Sequence, residues 1–593
     1  MFNQNFKKVV FLFFVLCPVL TYASKKTTRV NPKMLIMDMV HNNPGEAPTQ
    51  SKFLDPAFLK ENGYNSKVFF LFEAAQFGVD WKSFDPEIFP DSSKEALWIK
   101  AKSEIILRKY KEAKSEGLKV YCMLDMLVLP NALVNKYKNE ICNKAGKIDI
   151  SRPFTQKCFR SLMNQMFDRF PQLDGLVIRT GETYLQDAPF YQGNSPVQNG
   201  MHDHNILIDI LRDEVCVKRH KDIIYRTWDM GQLHALTKYY LAVTDSVAPH
   251  PNLYFSIKHT MVDFWRGAIT NPNLDYNSFN QYWLDEAGQL GVPFNPCIGI
   301  GQHKQIVEVQ CQREYEGKSA HPNYIAKGVI DGFEELKTEG LPRPYCLNQV
   351  KNNPLLSGIW TWSRGGGWGG PYIKNEFWSE LNAYVVAHWA KDPSKTEKEI
   401  FASFASHKGL PKKEIENFHK LCLLSETAVM KGQYSTLGNT YVNWVRDDNI
   451  TGLIYQKSYL DKIIESEKIE AYIIEKQEAV AIWKEIERLA ATLHFKDKAL
   501  NHFVGVTCRY GRIKYELLAS AWTIISRGYE AEKKGVSFDR TKMNKALAAY
   551  DIAWVEWQDL AKNNADCPSL YKVTSTFFNV EVGLKSSVDT YRN

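Results

Sequence analysis

Long apolar runs are scarce in this 593-residue chain. Beyond the N-terminal segment none is long enough to span a bilayer, which excludes a helical integral membrane protein. The 11 cysteines include no Cys-x-x-Cys pair. Zinc-finger spacing and the thioredoxin-type redox motif are therefore absent. Excess charge of one sign is also small: the formal net charge is +7 and the basic residues are dispersed, which argues against a nucleic-acid partner. A phosphate loop is missing too. The glycine run "RGGGWGG" has no Lys-Ser/Thr behind it, so it reads as backbone that lets a ligand approach closely.

What is present begins with a leader. Lys7 and Lys8 precede an apolar stretch from Val9 to Leu20, and Thr21-Tyr22-Ala23 offers small-residue cleavage. This predicts a signal peptide over residues 1–23 and an exported protein, periplasmic or extracellular. Removing Lys7 and Lys8 with the leader lowers the net charge from +7 to +5. Cys17 follows Phe14-Val15-Leu16, which lack the small residues that lipoprotein processing prefers. Disulfides are permitted by such a compartment but not required by a chain with this much core.

Residues 34–390 repeat one theme of a short apolar run, a polar loop and a helix-like stretch. The runs are "MLIMDMV", "KVFFLF", "KVYCML", "GLVIR", "DIIYR", "LYFSIK", "VEVQCQ" and "SGIWTW". Near-continuous apolar strands alternating with helices predict a parallel sheet covered on both faces. Eight such units predict an α/β fold of the (β/α)8 TIM-barrel type. The segment "SSKEALWIKAKSEIILRKYKEAKSEG" reads as one of its helices, from a serine cap to Gly117. Residues 391–593 change character. "KIIESEKIEAYIIEKQEAVAIWKEIERLAATL" and the segments after it carry apolar residues at helical spacing. They predict an all-helical C-terminal domain without chemistry of its own, suited to packing or to contact between two copies of the chain.

In such barrels the chemistry sits beyond the C-terminal ends of the strands. Those positions are polar here. The first strand leads into "HNNPGE" and the third into Asp125. The fourth leads to Arg179 and Glu182, and the fifth to Arg226, Trp228 and Asp229. Lys258 and Asp263 follow the sixth, Glu314 and Glu316 the seventh, and Trp362 and Trp368 belong to the eighth. Glycosidic cleavage needs a carboxylic acid to protonate the leaving oxygen and a carboxylate to activate water or attack directly. Glu182, Asp263 and Glu314 are placed to meet at one mouth. Arg179, Arg226 and Lys258 would repel one another unless something negative sits among them. Those carboxylates supply it in one reading. In the other a substrate carboxylate does, and arginine grips a carboxylate well through paired hydrogen bonds. Trp228, Trp362 and Trp368 offer stacking faces for sugar.

Several segments resemble the α-glucuronidases of glycoside hydrolase family 67. "IKHTMVD" is similar to that family's lysine-x4-aspartate segment, "VEVQCQREYEG" to its E-x-Q-x-x-Q-E-Y-x-G segment, and "DGLVIRTGE" to the segment bearing its general acid. "IIYRTWD" resembles a strand with a substrate-binding arginine. "NAYVVAHWAKDPSKTEKEI" is similar to the family's barrel-to-helix junction. The resemblance runs in order over residues 34 to 400, without the family's N-terminal domain, and Arg179 stands where the family has lysine. It implies an inverting, exo-acting hydrolase with no metal or other cofactor. Glu182 would be the general acid, Asp263 and Glu314 would activate water, and Arg226 would hold a terminal uronic acid of an oligosaccharide or polysaccharide. An exo-glycosidase for a neutral or sulfated sugar, and a barrel that only binds glycans, stand as alternatives. His202 and His204 in "MHDHN" read as part of a solvated loop, since no third metal ligand lies nearby.

Overall fold

The computed structural model describes residues 34–41, 51–70, 73–185, 188–228, 233, 237–259, 297–313, 316–333, 346–364, 375–433, 435, 437, 452–567 and 583–592. Ten strands run through them in chain order: β1 (Leu35–Val40), β2 (Ser66–Phe69), β3 (Lys119–Asp125), β4 (Val128–Pro130), β5 (Gly175–Arg179), β6 (Tyr191–Gly193), β7 (Asp222–Arg226), β8 (Leu253–Lys258), β9 (Lys304–Gln310) and β10 (Leu356–Arg364). Eight of them are parallel and close into a barrel in the order β1-β2-β3-β5-β7-β8-β9-β10. Each grows from one of the eight apolar runs. The remaining two, β4 and β6, form a small antiparallel ribbon. Neither is legible in the sequence, because three-residue strands carry no periodic signal.

Side chains alternate across each strand, so every second residue points into the barrel. Met37, Met123, Val177, Ile224, Ile306 and Trp360 fill its interior. Two residues further toward the C-terminal ends, the same face presents Met39, Asp125, Arg179, Arg226, Glu308 and Trp362. The barrel is thus apolar in its middle and charged at its mouth. The opposite faces of the strands meet the helices through Ile36, Cys122, Leu176, Ile223 and Val307, which belong to the larger core.

The helix Lys94–Ser115 starts as expected. Its cap Ser93 accepts a hydrogen bond from the Ala96 amide at 3.0 Å, and Gly117 turns the chain with φ +74°. The tail is helical, with a 37-residue helix, Lys498–Lys534, at its centre. The described part of residues 34–593 packs as one compact unit. The tail meets the barrel through polar contacts as well as apolar ones, among them Trp378 Nε1 to Thr507 Oγ1 at 3.1 Å.

The amphipathic segment "KIIESEKIEAYIIEKQ" is helical as expected and spans two helices, Leu453–Glu465 and Ile469–Ala490, with Glu467 between them at φ +55°. One local expectation needs correction. The "MHDHN" segment is no solvated loop but the start of the helix Met201–Leu211. There His204 is buried and its Nδ1 lies 2.7 Å from the Tyr225 hydroxyl.

Candidate active site

Two bidentate ion pairs organise the barrel mouth. Arg226, at the end of β7, meets Glu308 of β9 through Nη2–Oε1 at 2.5 Å and Nε–Oε2 at 3.0 Å. Ser256, on the strand between them, donates its hydroxyl to Glu308 Oε2 at 3.0 Å. Arg179, ending β5, grips Asp125 of β3 through Nε–Oδ1 at 2.5 Å and Nη2–Oδ2 at 3.0 Å. All four side chains are buried, where a lone charge would be costly, and the fork geometry lets each carboxylate meet two donors.

Glu182 lies at the edge of the second pair. Its Oε2 accepts from Arg179 Nη1 at 3.1 Å and from the Tyr184 hydroxyl at 2.9 Å. The Tyr184 ring lies 4.2 Å from the guanidinium carbon, and its amide donates to Asp125. Burial opposes the Arg179 charge. Asp125 and then Glu182 more than offset it, so its pKa is pushed up. Glu182 is the accessible carboxylate of the group: its side chain is 36% exposed, against 2% for Asp125 and 1% for Glu308.

Aromatic rings complete the mouth. Trp362, on β10, lies 4.9 Å from the Arg226 guanidinium carbon and 5.3 Å from Lys258 Nζ. The Trp228 ring lies 4.8 Å from the same Lys258 Nζ. A buried ammonium over two indole rings gains cation–π attraction where water is scarce. His41, just beyond β1, packs its ring against Phe70 at 4.1 Å and Trp362 at 5.4 Å. Its pKa is lowered well below the ordinary histidine value, first by burial and then by Arg179, Arg226, Lys258 and Arg364. Burial and the charge of four cations from four strands thus both favour the neutral imidazole.

Of the residues expected at the site, the structure brings Arg179, Glu182, Arg226, Trp228, Lys258 and Trp362 to one mouth. Asp263, Glu314 and Trp368 lie outside the described residues. Glu316 is buried and accepts from Arg313 Nη2 at 2.9 Å and from Asn323 Nδ2 at 2.9 Å. The sequence reading passed over Glu308, Gln310, Arg364 and His41 as individuals. The signal was there: once Ile306 points inward, period two places Glu308 and Gln310 inward as well. Among the described residues no cluster of histidine, cysteine and carboxylates is arranged to hold a metal ion. Cys122, Cys142, Cys158, Cys216, Cys311, Cys422 and Cys508 form no disulfide.

No family model matches the chain, and no curated protein matches it in sequence. Solved structures do. A family 138 glycoside hydrolase targeting the pectin rhamnogalacturonan II is similar over 94% of this chain and 66% of its own, with 12% sequence identity and a TM-score of 0.50. This chain thus spans just under two thirds of that enzyme's length. The Thermobaculum terrenum O-GlcNAc hydrolase is similar over 89% of this chain and 97% of its own at 10% identity, with a TM-score of 0.37. A Vibrio harveyi family 20 exo-β-N-acetylglucosaminidase covers 65% of this chain and 58% of its own at 10% identity, with a TM-score of 0.30. At 12% identity the likeness to the family 138 enzyme is one of fold alone, and that fold is the TIM barrel.

Proposed function

We propose that this protein is an exported glycoside hydrolase that removes a terminal uronic acid from an oligosaccharide or polysaccharide, in the manner of an α-glucuronidase. The observation that carries the reading is the convergence of Arg226 and Lys258 on Trp362, beside His41, at a barrel mouth that Arg179 and Arg364 also enter. A substrate carboxylate is a natural partner for such a cluster. In this reading Glu182, the accessible carboxylate, protonates the leaving oxygen. Asp125 takes up two of the Arg179 donors, so Glu182 meets only Nη1 of that guanidinium. Asp263 and Glu314 activate the attacking water. Chemistry belongs to residues 34–390, and the helices of residues 391–593 support the barrel or join two copies of the chain.

A neutral-sugar exo-glycosidase is the second reading, and the ion pairs themselves favour it. Asp125 and Glu308 already balance Arg179 and Arg226. Recognition of a uronate then rests on the Arg226 Nη1 outside the pair, with Lys258 and Arg364 adding positive charge at the same mouth. Matched chromogenic substrates separate the two readings. Para-nitrophenyl α-D-glucuronide and α-D-galacturonide should be cleaved in preference to their neutral hexoside counterparts. Preference for the neutral member of each pair would overturn the uronidase assignment. The family 138 enzyme's target makes pectic oligosaccharides the natural next substrates to try.

A further inference from the structure

We propose that His41, Gln310 and the Trp362 indole N–H form a hydroxyl-reading edge of the sugar subsite, on the β1-β10-β9 side of the mouth. The inference rests on the glycoside reading above but is indifferent to whether the sugar is charged.

All three side chains are buried: His41 is 7% exposed, Gln310 2% and Trp362 4%. Neither ring nitrogen of His41, neither amide atom of Gln310 and not the indole nitrogen of Trp362 meets a hydrogen-bond partner among the described residues. Buried polar groups are nearly always satisfied, so unpartnered ones call for an explanation. Another such group, the Tyr550 hydroxyl, stands apart in the helical tail. These three are neighbours. Gln310 is the register partner of Trp362 on the adjacent strand, and the His41 ring rests on Trp362 at 5.4 Å.

Their chemistry suits hydroxyl groups. A neutral imidazole has one donor and one acceptor nitrogen, and an amide side chain has both kinds of atom. A sugar hydroxyl donates and accepts in turn. Burial, and after it the four cations, holds His41 neutral and therefore keeps its acceptor. The cations also leave the carboxylate of a uronate to themselves, so the uncharged groups on this side face the ring hydroxyls.

The test uses the full chain and four monosaccharides: D-glucuronate, D-galacturonate, D-glucose and D-galactose. Calorimetry gives the affinities of the wild type, His41→Phe and Gln310→Met, and thermal melting gives their stabilities. Phenylalanine keeps the ring that packs on Phe70 and Trp362, and methionine keeps the length of glutamine. Each variant should bind the preferred sugar about tenfold more weakly, the loss of roughly one hydrogen bond. The melting temperature without sugar should stay level or rise, because an unpartnered buried polar group is removed. Wild-type affinity in both variants would overturn the hydroxyl-reading role while leaving the glycoside reading intact. A lowered melting temperature with unchanged affinity would assign these residues to structure alone. A wild type that binds none of the four sugars would overturn the glycoside reading, and this inference with it.

Discussion

Arg226 and Glu308 face each other across β8 in a fork of 2.5 and 3.0 Å, each side chain 1% exposed. Neither charge has water to fall back on, so each depends on the other. Replacing Glu308 with Gln should leave the Arg226 charge buried without a counter-charge. We expect a loss of stability of about 3–5 kcal/mol, read by chemical denaturation. Replacing both residues with apolar ones of similar size, Arg226→Met with Glu308→Leu, should recover much of that loss. A Glu308→Gln variant as stable as the wild type would mean that the pair is solvated.

Lys258 should discriminate uronates from neutral sugars. Lys258→Met keeps a stem of similar length beside Trp228 and Trp362 and removes the charge. A charged hydrogen bond contributes about 1.5–3 kcal/mol, so kcat/KM on a uronide should fall by roughly 10- to 100-fold. The neutral glycoside should be affected little. Arg226→Lys is the better probe at its position, since alanine there would strand Glu308. It should show the same selectivity in smaller measure. Equal losses on both sugars would make these cations structural.

Glu182→Gln keeps the shape of the side chain and removes the acid. Turnover of natural glycosides should fall by orders of magnitude, of which general acid catalysis typically accounts for about 10²–10⁴-fold. Substrates with a phenolate leaving group of low basicity need no proton and should lose far less. Equal loss on both would give Glu182 another role.

Asp38 makes stability depend on pH. It points away from the barrel interior, with its carboxylate accepting from Thr361 at 2.6 Å and from the Ser363 hydroxyl at 2.7 Å. Burial raises its pKa from 3.8 to about 7, and these hydrogen bonds only partly oppose the shift. Between those values the folded state holds a proton that the unfolded state has lost. Stability contributed by this group is therefore present at low pH and is lost as pH rises through about 7, by up to about 4 kcal/mol. His41 acts with the opposite sign below about pH 6.5, because its lowered pKa leaves the unfolded chain binding the extra proton. The informative comparison is therefore with Asp38→Asn, whose stability curve should lack the decline between pH 4 and 7. Parallel curves for the two proteins would place the Asp38 titration outside this window.

The barrel was legible because its strands are apolar throughout and separated by capped helices. "DIIYR" and "LYFSIK" could be little else. Strand order then placed Arg179, Arg226 and Lys258 at one mouth without knowledge of any contact. What stayed hidden was partnership. Glu308 sits in the middle of "KQIVEVQ" and reads as part of a strand until the inward face of β9 is known. Its contact with Arg226 joins residues 82 positions apart. His41 was passed over because one histidine in a polar loop carries no periodic signal. Its setting exists only once four strands bring their cations to the same mouth. The turn at Glu467 was hidden for another reason: apolar spacing continues across it, and only the backbone records it.

The central claim is that the mouth takes a terminal uronic acid. The most direct measurement is proton NMR of the wild-type protein acting on α-linked, uronic-acid-capped oligosaccharides, followed from the first minutes. The account predicts that free uronic acid appears and the capped chain loses one residue. The β-anomer should come first, as expected if Asp263 and Glu314 direct water to the face opposite the leaving group. First appearance of the α-anomer would keep the substrate and overturn those two roles. Release of neutral sugar alone, or of no sugar at all, would contradict the account.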